Sequence, residues 1–393
     1  MKSVIFFISG KSYTKGRNLE PLGEPYFSLH EIKALLTSFF KMDVVDLTHE
    51  PFRILKVKVP AFDSTLVDFL RRAVTIHYVG TLDHEFVSSN NELLASVRDF
   101  TSSLKNSKEL RSILEKLKKK HGSFWIDRIF HAMKISPAIE KEIKTGLGSL
   151  IENEHSLQVE SNTPELKISV FISRSLHSPD TISFIISLEG KHFSYKGYNA
   201  RKASNRAAFK IGTMNPPLTS FMMNFSHPAV DHDSYVLDPF CGTGGILIEA
   251  LVRGFPVIGM DVESSCTNGC VENLTRFNDN KKTGFHVVNS SIFHSPLRES
   301  IYSHDVIDII CTDPPYGNVE SLRRQPFKDY VKHLLSVLKN FETLTFACPD
   351  HYHGEILPLL HDIEKKADIF TLDYFEHRSL SRRIYCISRR KTS

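Results

Sequence analysis

The sequence predicts an α/β protein: a doubly wound sheet in the carboxyl-terminal half, preceded by smaller α+β modules. Strand and helix patterns alternate regularly from about residue 215 onward, whereas they are mixed before it. Two final strand patterns, near 367–375 and 383–388, follow each other without a helix, which predicts an antiparallel terminal hairpin at the sheet edge. A chain of 393 residues is also long enough for two or three domains.

In the carboxyl-terminal half the predicted elements follow one another as strand, then helix. The strands are predicted at 235–237, 256–260, 285–288, 306–311 and 343–348. The helices are predicted at 244–253, 263–277, 325–340 and 353–361. Parallel strands joined by helices are the expected result.

In the amino-terminal half the patterns are shorter and mixed. Strands are predicted at 4–8, around 43–47, and at 54–59, 75–80, 166–172 and 181–188. Helices are predicted at 28–36, 63–73, 91–119, 125–133 and 137–150. Ser28 and Glu31 have the spacing of a capping box, which would begin the first helix.

The composition is that of a globular protein with a sizeable core, since 41% of the residues are hydrophobic and 24% are charged. No apolar stretch approaches the roughly 18 to 20 residues that a membrane span needs. All six cysteines lie in the carboxyl-terminal half, and no second Cys or His pair has zinc spacing. We therefore expect reduced thiols, no bound metal, no membrane association and a cytoplasmic location.

A glycine-rich turn follows the strand predicted at 235–237, and it indicates an adenosyl ligand. Gly242 and Gly244 permit backbone conformations that residues with a Cβ disfavour, and the helix that begins there can offer free N–H groups to a carboxylate or phosphate. At the end of the next strand, Asp261 could accept both hydroxyls of a ribose. A nicotinamide cofactor is disfavoured, because the order of glycines differs from the dinucleotide fingerprint and because Asp238 and Pro239 precede the turn.

A second segment, Asp313-Pro314-Pro315-Tyr316, follows the strand predicted at 306–311. The exocyclic amine of a nucleobase is a poor nucleophile, because its lone pair is delocalised into the ring. The Asp313 carboxylate and the Pro314 carbonyl can accept its two N–H bonds, the prolines fix the backbone, and Tyr316 can stack on the base. Asp313 is also available to take the proton after transfer.

The two segments are expected to line one crevice, since ligands bind at the carboxyl ends of the strands in an open parallel sheet. Together they indicate an amino-methyltransferase that uses S-adenosylmethionine. Enzymes that methylate pyrimidine carbon use a cysteine nucleophile instead, but Cys311 is predicted to point to the opposite face, into the core. The chemistry does not separate guanine N2 from adenine N6 as the acceptor.

The net charge of +4 is small, but its distribution is uneven. Residues 101–150 contain eleven Lys or Arg against five Asp or Glu. The candidate RNA-binding residues are the densest basic cluster and two residues of the linker: Lys116, Lys118, Lys119, Lys120, Arg201 and Lys202. A solvated helix face is the alternative explanation of the lysine cluster.

Residues 235–250 and 306–317 resemble the tRNA guanine-N2 methyltransferases that act on guanosine at position ten, a family with a THUMP domain. The segments 212–218 with 221–224, and 377–382, are similar to two further family segments, and the resemblance covers about residues 205–390. It implies a Rossmann-like class I methyltransferase domain at 213–393. It also implies a ferredoxin-like domain at 1–85, a THUMP RNA-binding domain at 86–190 and a linker at 191–212.

The resemblance also implies site residues and partners. The acceptor chemistry falls to Asp313, Pro314, Pro315 and Tyr316. The methyl donor is expected near the glycine turn and the ends of the next two strands, at Asp238, Pro239, Phe240, Cys241, Gly242, Thr243, Gly244, Asp261, Val262, Ser290 and Ser291. The two serines stand where relatives usually have an acid near the adenine amine. The implied partners are tRNA and a small activating protein subunit.

Other functions remain open at this point. The acceptor could be guanine N2 at another tRNA position or in ribosomal RNA, or adenine N6 in DNA. The chain could also be an RNA-binding protein with a residual methyltransferase fold, or a subunit that is active only with a partner. Both key segments are intact, which disfavours an inactive protein.

Overall fold

The computed structural model of the protein describes residues 2–8, 24–40, 47–50, 54–90, 92–131, 135–174, 180–193, 196–210, 212–226, 234–278, 283–294, 307–316, 325–337, 341–364, 366–377 and 380–390. The chain divides into two compact units. The amino-terminal unit comprises Met1–Gly10, Val44–Arg71 and Thr75–Phe193. The carboxyl-terminal unit comprises Lys11–Asp43, Arg72–Val74 and Ser194–Ser393.

The strands are, in chain order, β1 (Lys2–Ile8), β2 (Leu47–Glu50), β3 (Ile54–Val59), β4 (Ile76–Thr81), β5 (His84–Ser88), β6 (Ser123–His131), β7 (Gln158–Val159), β8 (Leu166–Arg174), β9 (Ile182–Ser187), β10 (Gly190–His192), β11 (Tyr235–Asp238), β12 (Val257–Asp261), β13 (Phe285–Asn289), β14 (Ile307–Thr312), β15 (Thr343–Pro349), β16 (Ala367–His377) and β17 (Leu380–Arg389). The α-helices are α1 (Glu24–Phe40), α2 (Ser64–Leu70), α3 (Leu93–Asn106), α4 (Lys108–Lys118), α5 (Pro137–His155), α6 (Lys196–Ala200), α7 (Pro216–Phe225), α8 (Gly245–Leu251), α9 (Ser264–Phe277), α10 (Phe327–Val337) and α11 (His353–His361).

The amino-terminal unit contains two five-stranded sheets. The first is antiparallel throughout, in the order β10-β4-β1-β3-β2. The second has the order β5-β9-β8-β6-β7, in which β6 runs parallel to both of its neighbours. Helices α3, α4 and α5 bury apolar side chains against this second sheet, among them Phe100, Leu114 and Leu147. The division of this half into ferredoxin-like and THUMP domains stays a prediction.

Two predictions for the amino-terminal half are wrong. The helix predicted at 125–133 is instead β6, in which buried Phe124 and Ile126 alternate with half-buried neighbours because the strand pairs with β8. The capping box is also wrong, because α1 begins at Glu24 and Ser28 therefore lies inside the helix. Glu31 is fully buried, and its Oε1 accepts hydrogen bonds from the Val74 N–H at 2.9 Å and from Asn224 Nδ2 at 2.7 Å.

The other amino-terminal predictions hold, with adjusted bounds. The helical stretch 91–119 is two helices, because the Ser107 side chain accepts the Leu110 N–H at 3.1 Å and begins α4. Of the strand predicted around 43–47, only Leu47 lies within the described residues, where β2 begins. Within the predicted linker, residues 191 and 192 belong to β10 and residues 196–200 form α6.

The carboxyl-terminal unit is the doubly wound domain that the sequence predicts. Its seven-stranded sheet has the order β13-β12-β11-β14-β15-β17-β16. The strands from β13 to β15 are parallel, and β17 and β16 add the antiparallel terminal hairpin. Successive β11 residues enter separate cores: Val236 packs in a cluster that includes α7, α8 and α9, and Leu237 in one that includes α10 and α11. Helices therefore cover both faces.

The order of the strands determines where the site lies. The chain leaves β11 toward β12 on one side, and it later returns to β14 on the other side of β11. Connections that depart in opposite directions leave a crevice at the carboxyl ends of the two central strands. Asp238 ends β11, and Asp313 comes directly after β14.

We expect Leu114→Ala to destabilise the amino-terminal unit by about 2 to 5 kcal/mol, because Leu114 is fully buried between α4 and the second sheet. Lys118→Ala, on the exposed side of the same helix, is the matched control and should change stability by less than about 0.5 kcal/mol. Urea unfolding followed by circular dichroism compares the two. Equal midpoints for the two variants would contradict the packing described for α4.

Candidate active site

The ends of β11 and β14 are joined by a buried hydrogen bond. Thr312 Oγ1 donates to Asp238 Oδ1 at 2.6 Å, and the Phe240 N–H donates to the same oxygen at 3.1 Å. Asp238 is 2% exposed. Its carboxylate thus ties the residue before Asp313 to the start of the glycine turn, so the two segments predicted from the sequence form one structure.

The glycine turn adopts backbone conformations that favour glycine. Gly242 has φ +50° and Gly244 has φ +86°. A Cβ at Gly244 would lie 2.9 Å from Cys270 Sγ, whereas a Cβ at Gly242 would meet nothing within 4 Å. Gly244 is therefore needed for packing against α9, and Gly242 leaves space beside the turn.

Asp261 holds the turn from the end of β12. Its Oδ2 accepts the Gly242 N–H at 2.9 Å, and its Oδ1 accepts the Glu263 N–H at 2.9 Å, just before α9. The Asp261 carbonyl accepts the Ser290 N–H at 2.9 Å. Each carboxylate oxygen has a second lone pair, so these bonds leave Asp261 able to accept a hydroxyl.

A cleft of roughly 170 Å³ opens at these strand ends. The predicted site residues that line it are Asp238, Phe240, Cys241, Gly242, Thr243 and Asp313. The cleft lining does not include Pro239, Gly244, Asp261, Val262, Ser290, Ser291, Pro314, Pro315 or Tyr316. Ser291 is partly buried beside Ser290, and Val262 is 66% exposed.

The cleft is completed by residues to which the sequence argument gave no role. They come from the segment before α7 and from the start of α7 and α8: Lys210, Gly212, Thr213, Met214, Thr219, Gly245 and Ile246. Lys210 forms an ion pair with Glu263 at the rim. The signal that pointed here was the similarity of 212–218 to a family segment, which the structure places in the wall of the cleft.

The Asp313 carboxyl is the most unusual group in the cleft. Its Oδ1 is buried and has no hydrogen-bond partner among the described residues, while its Oδ2 lies 3.8 Å from Arg382 Nη2. Burial raises the pKa of Asp313 to about 6, against the opposing effects of Arg382 and Tyr316. Burial and the nearby Asp313 and Asp261 raise the pKa of Asp238 to about 7. An unpartnered acceptor on a residue that lines a cleft is a candidate group for binding a ligand.

Tyr316 is held by two contacts that sequence reasoning did not predict. Its hydroxyl accepts a hydrogen bond from Arg382 Nε at 2.8 Å, and its ring meets Phe327 edge-on at 6.5 Å between centroids. Arg382 lies at the start of β17 and is 2% exposed. The segment 377–382 contains this arginine, but Arg378 and Ser379 lie outside the described residues.

The candidate RNA-binding residues lie in both units. In the amino-terminal unit, the lysine cluster at the end of α4 is solvent-exposed: Lys116, Lys118, Lys119 and Lys120. In the carboxyl-terminal unit, Lys202 is exposed, whereas Arg201 donates to the fully buried Glu249 at 2.7 and 3.2 Å. The Arg201 guanidinium is therefore committed largely to the fold.

The remaining sequence expectations concern cysteines, metals and membranes. All six cysteines are buried and free, and Cys311 is fully buried in the core as predicted. Among the residues that the structure describes, no cluster of three or more His, Cys, Asp or Glu side chains could hold a metal ion. No helix in that part of the chain has the length and apolar character to cross a membrane.

Known proteins resemble this chain, and the family match lies in the carboxyl-terminal unit. Residues 204–341 match the family described as RMKL-like, methyltransferase domain. The tRNA (guanine(10)-N2)-dimethyltransferase of Methanothermobacter thermautotrophicus is 30% identical over 250 residues, which cover 63% of this chain and 69% of that protein. The protein of the same name from Methanocaldococcus jannaschii is 27% identical over 276 residues, which cover 70% and 71%. Human tRNA (guanine(10)-N(2))-methyltransferase TRMT11 is 32% identical over 127 residues, which cover 28% and 26%.

The strand order and the matched domain make the protein a class I methyltransferase that depends on S-adenosylmethionine. Its similarity to the first of these archaeal enzymes reaches 30% identity over 69% of that enzyme's length. The chain belongs to their family, the tRNA (guanine(10)-N2)-methyltransferases.

The residues around the turn fit this cofactor. Because a Cβ at Gly242 would project into open space, glycine leaves a cradle that a larger residue would fill. Thr243 Oγ1 is buried and has no hydrogen-bond partner in the described part of the chain. The Asp261 carboxylate, which accepts the Gly242 N–H, gives the surroundings of the turn a negative character that suits a cationic ligand.

We expect Gly242→Ala to weaken S-adenosylhomocysteine binding at least about tenfold, because alanine is strained at φ +50° and its methyl group would fill the cradle. Gly354→Ala is the matched control, since Gly354 lies in α11, has no positive φ and leaves equally open space. Isothermal titration calorimetry measures both affinities. Wild-type affinity in Gly242→Ala would remove the turn from cofactor binding.

Proposed function

We propose that the protein transfers one or two methyl groups from S-adenosylmethionine to the exocyclic N2 of guanosine at position ten of tRNA. The observation that carries the proposal is Asp313 Oδ1, a buried acceptor without a partner among the described residues, on a side chain that lines the cleft beside the glycine turn. The names of the archaeal relatives support the choice of guanosine and of position ten.

On the donor side, Asp238, Asp261 and the glycine turn would hold the cofactor, which supplies an electrophilic methyl group on a sulfonium. The turn is rigid, because its backbone is bonded to Asp261 Oδ2, to the Met260 carbonyl and to the Cys241 carbonyl. A rigid turn positions a bound ligand without a further loss of entropy at the moment of reaction.

On the acceptor side, Asp313 Oδ1 and the Pro314 carbonyl would accept the two N–H bonds of the guanine amine. These bonds draw the nitrogen toward tetrahedral geometry and turn its lone pair toward the donor. Pro314 and Pro315 restrict the backbone, so that the two acceptors keep their direction. With its pKa near 6, the Asp313 carboxylate is ionised at neutral pH and can take the proton that the amine loses.

The amino-terminal half would provide the grip on tRNA, as a ferredoxin-like domain at 1–85 and a THUMP domain at 86–190, with a linker at 191–212. A paired guanosine must leave its stack to reach a cleft of this kind, at a cost of a few kcal/mol. Binding of remote parts of the tRNA can supply that energy, and the exposed lysines at the end of α4 suit phosphate contacts. A cytoplasmic location and a small activating subunit are further parts of this proposal.

We expect Asp313→Ala to lower methyl transfer at least about a thousandfold, because the amine would lose both an acceptor and the base. The affinity for S-adenosylhomocysteine should stay within about threefold of wild type, since Asp313 makes no bond to the glycine turn. Single-turnover assays and calorimetry separate the two effects. Unchanged turnover would exclude Asp313 from the chemistry.

The substrate is tested by transfer of a labelled methyl group to unmodified tRNA, followed by nucleoside analysis of the product. We expect N2-methylguanosine, N2,N2-dimethylguanosine or both, and no label on a tRNA in which adenosine replaces guanosine at position ten. A tRNA with a substituted guanosine elsewhere is the matched control and should be labelled fully. Label in N6-methyladenosine, or label on ribosomal RNA or DNA but not on tRNA, would refute the proposal.

A further inference from the structure

Arg382 is a buried cation at the acceptor end of the cleft. It lies at the start of β17, pairs in register with Pro349 of β15 and Tyr374 of β16, and is 2% exposed. Its Nε donates to the Tyr316 hydroxyl at 2.8 Å, and its guanidinium carbon lies 5.6 Å from the centre of that ring. Its Nη2 lies 3.8 Å from Asp313 Oδ2. One guanidinium therefore reaches both polar side chains of the Asp-Pro-Pro-Tyr segment.

We propose that Arg382 is the positioning residue of the acceptor site: it holds Tyr316 through its hydroxyl and orients the Asp313 carboxylate through the charge that it places near Oδ2. This inference rests on the proposed function, because it assigns Arg382 to the same reaction. Arg382 acts through these two side chains and is not itself assigned a contact with substrate.

The geometry gives the two ends of the Asp313 carboxyl different surroundings. Oδ2 is on the side of Arg382, whereas Oδ1 is buried without a partner. A cation near one oxygen orients the carboxylate and leaves the other oxygen available as an acceptor. The hydrogen bond to Tyr316 fixes the position of its hydroxyl oxygen and so the direction of the side chain, because a guanidinium is rigid and its donors have fixed directions.

The charges around Asp313 decide its ionisation. The burial of Asp313 favours the protonated acid. The charge of Asp313 in turn raises the pKa of the neighbouring Asp238. Arg382 and the Tyr316 hydroxyl act in the opposite direction. Lys210, a cation that lines the cleft, is engaged by Glu263. Within the part of the chain that the structure describes, Arg382 is the main group that holds the Asp313 pKa down near 6.

Loss of the Arg382 charge should raise the pH at which Asp313 becomes protonated. An acid with a folded-state pKa of about 6 is mostly ionised at pH 7 and loses its function as the pH falls through 6. Removal of the Arg382 charge leaves the Tyr316 hydroxyl as the remaining named group that opposes desolvation. The Asp313 pKa should therefore rise, and the acid limb of the pH–activity profile should move to higher pH. Arg382→Lys retains the charge and should leave the limb in place.

The kinetic test compares the pH dependence of kcat/KM for wild type, Arg382→Gln and Arg382→Lys. For Arg382→Gln we expect the acid limb to move up by about one pH unit or more, with kcat at pH 7 at least about tenfold lower and the KM for the cofactor within about threefold of wild type. For Arg382→Lys we expect a wild-type limb and a lower kcat, because the bond to the Tyr316 hydroxyl is poorer. An unmoved limb in Arg382→Gln, or an equal shift in both variants, would overturn the proposal.

The next residue of the same strand supplies a matched control. Arg383 also pairs with a carboxylate, Asp373, to which its Nη2 donates at 3.0 Å, but it lies on the opposite face of β17. Arg383→Gln should leave the acid limb where it is in wild type. A shift as large as that of Arg382→Gln would show a nonspecific effect of charge or stability and would contradict the role of Arg382.

A second measurement does not depend on activity. In protein labelled with ¹³C at the aspartate carboxyl carbon, the resonance lost in Asp313→Asn identifies Asp313, and its titration gives the pKa directly. We expect a midpoint near 6 in wild type and a higher one in Arg382→Gln. This shift without any methylation of tRNA would refute the proposed function and leave the coupling intact. Methylation of tRNA with an unshifted midpoint would leave the proposed function intact and refute the coupling between Arg382 and Asp313.

If Arg382→Gln fails to bind S-adenosylhomocysteine as wild type does, its fold is disturbed and Arg382→Lys carries the test. A reduced kcat with a wild-type acid limb then supports the proposal. A wild-type kcat overturns it, since the bond to Tyr316 would have no consequence.

Discussion

The hydrogen bond from Thr312 to Asp238 is the interaction on which the rest of the site depends. It joins the carboxyl ends of the two central strands, β11 and β14, from which the chain departs in opposite directions. Asp238 begins the glycine turn, and Thr312 directly precedes Asp313. Because the bond is buried, it fixes the spacing between the donor and acceptor segments more firmly than a surface contact could.

Most of the carboxyl-terminal unit could be predicted from the sequence because its signals are local. Strands β11 and β14 are short apolar runs, and each is followed by residue types that indicate a function. Glycines follow β11, and an acid and two prolines follow β14. Such signals fail where the spacing of the apolar residues fits a helix and a strand equally well. In β6, the apolar residues Trp125, Ile126, Ile129 and Phe130 suit one face of a helix, and only the pairing with β8 decides for a strand.

Contacts between distant segments could not be predicted in the same way. Glu31 matched a local capping pattern, but the fold uses its carboxylate to bind Val74 and Asn224. Arg382 stands in a segment that the sequence comparison singled out, yet nothing in its neighbours predicts a bond to Tyr316. That contact exists because β17 inserts antiparallel between β15 and β16 and so brings a late residue to the end of β14.

Burial serves two opposing requirements at Asp313, and Arg382 reconciles them. A carboxylate that is to bind an amine and then remove its proton must be free of competing donors, and burial achieves this by leaving Oδ1 without a partner. The same burial raises the pKa, and a carboxyl protonated at neutral pH would be a weaker acceptor for the amine N–H and could not act as a base. A cation on the far side of the group, near Oδ2, keeps the charge without occupying Oδ1. The last strand pair of the sheet is thus part of the acceptor site and not only its edge.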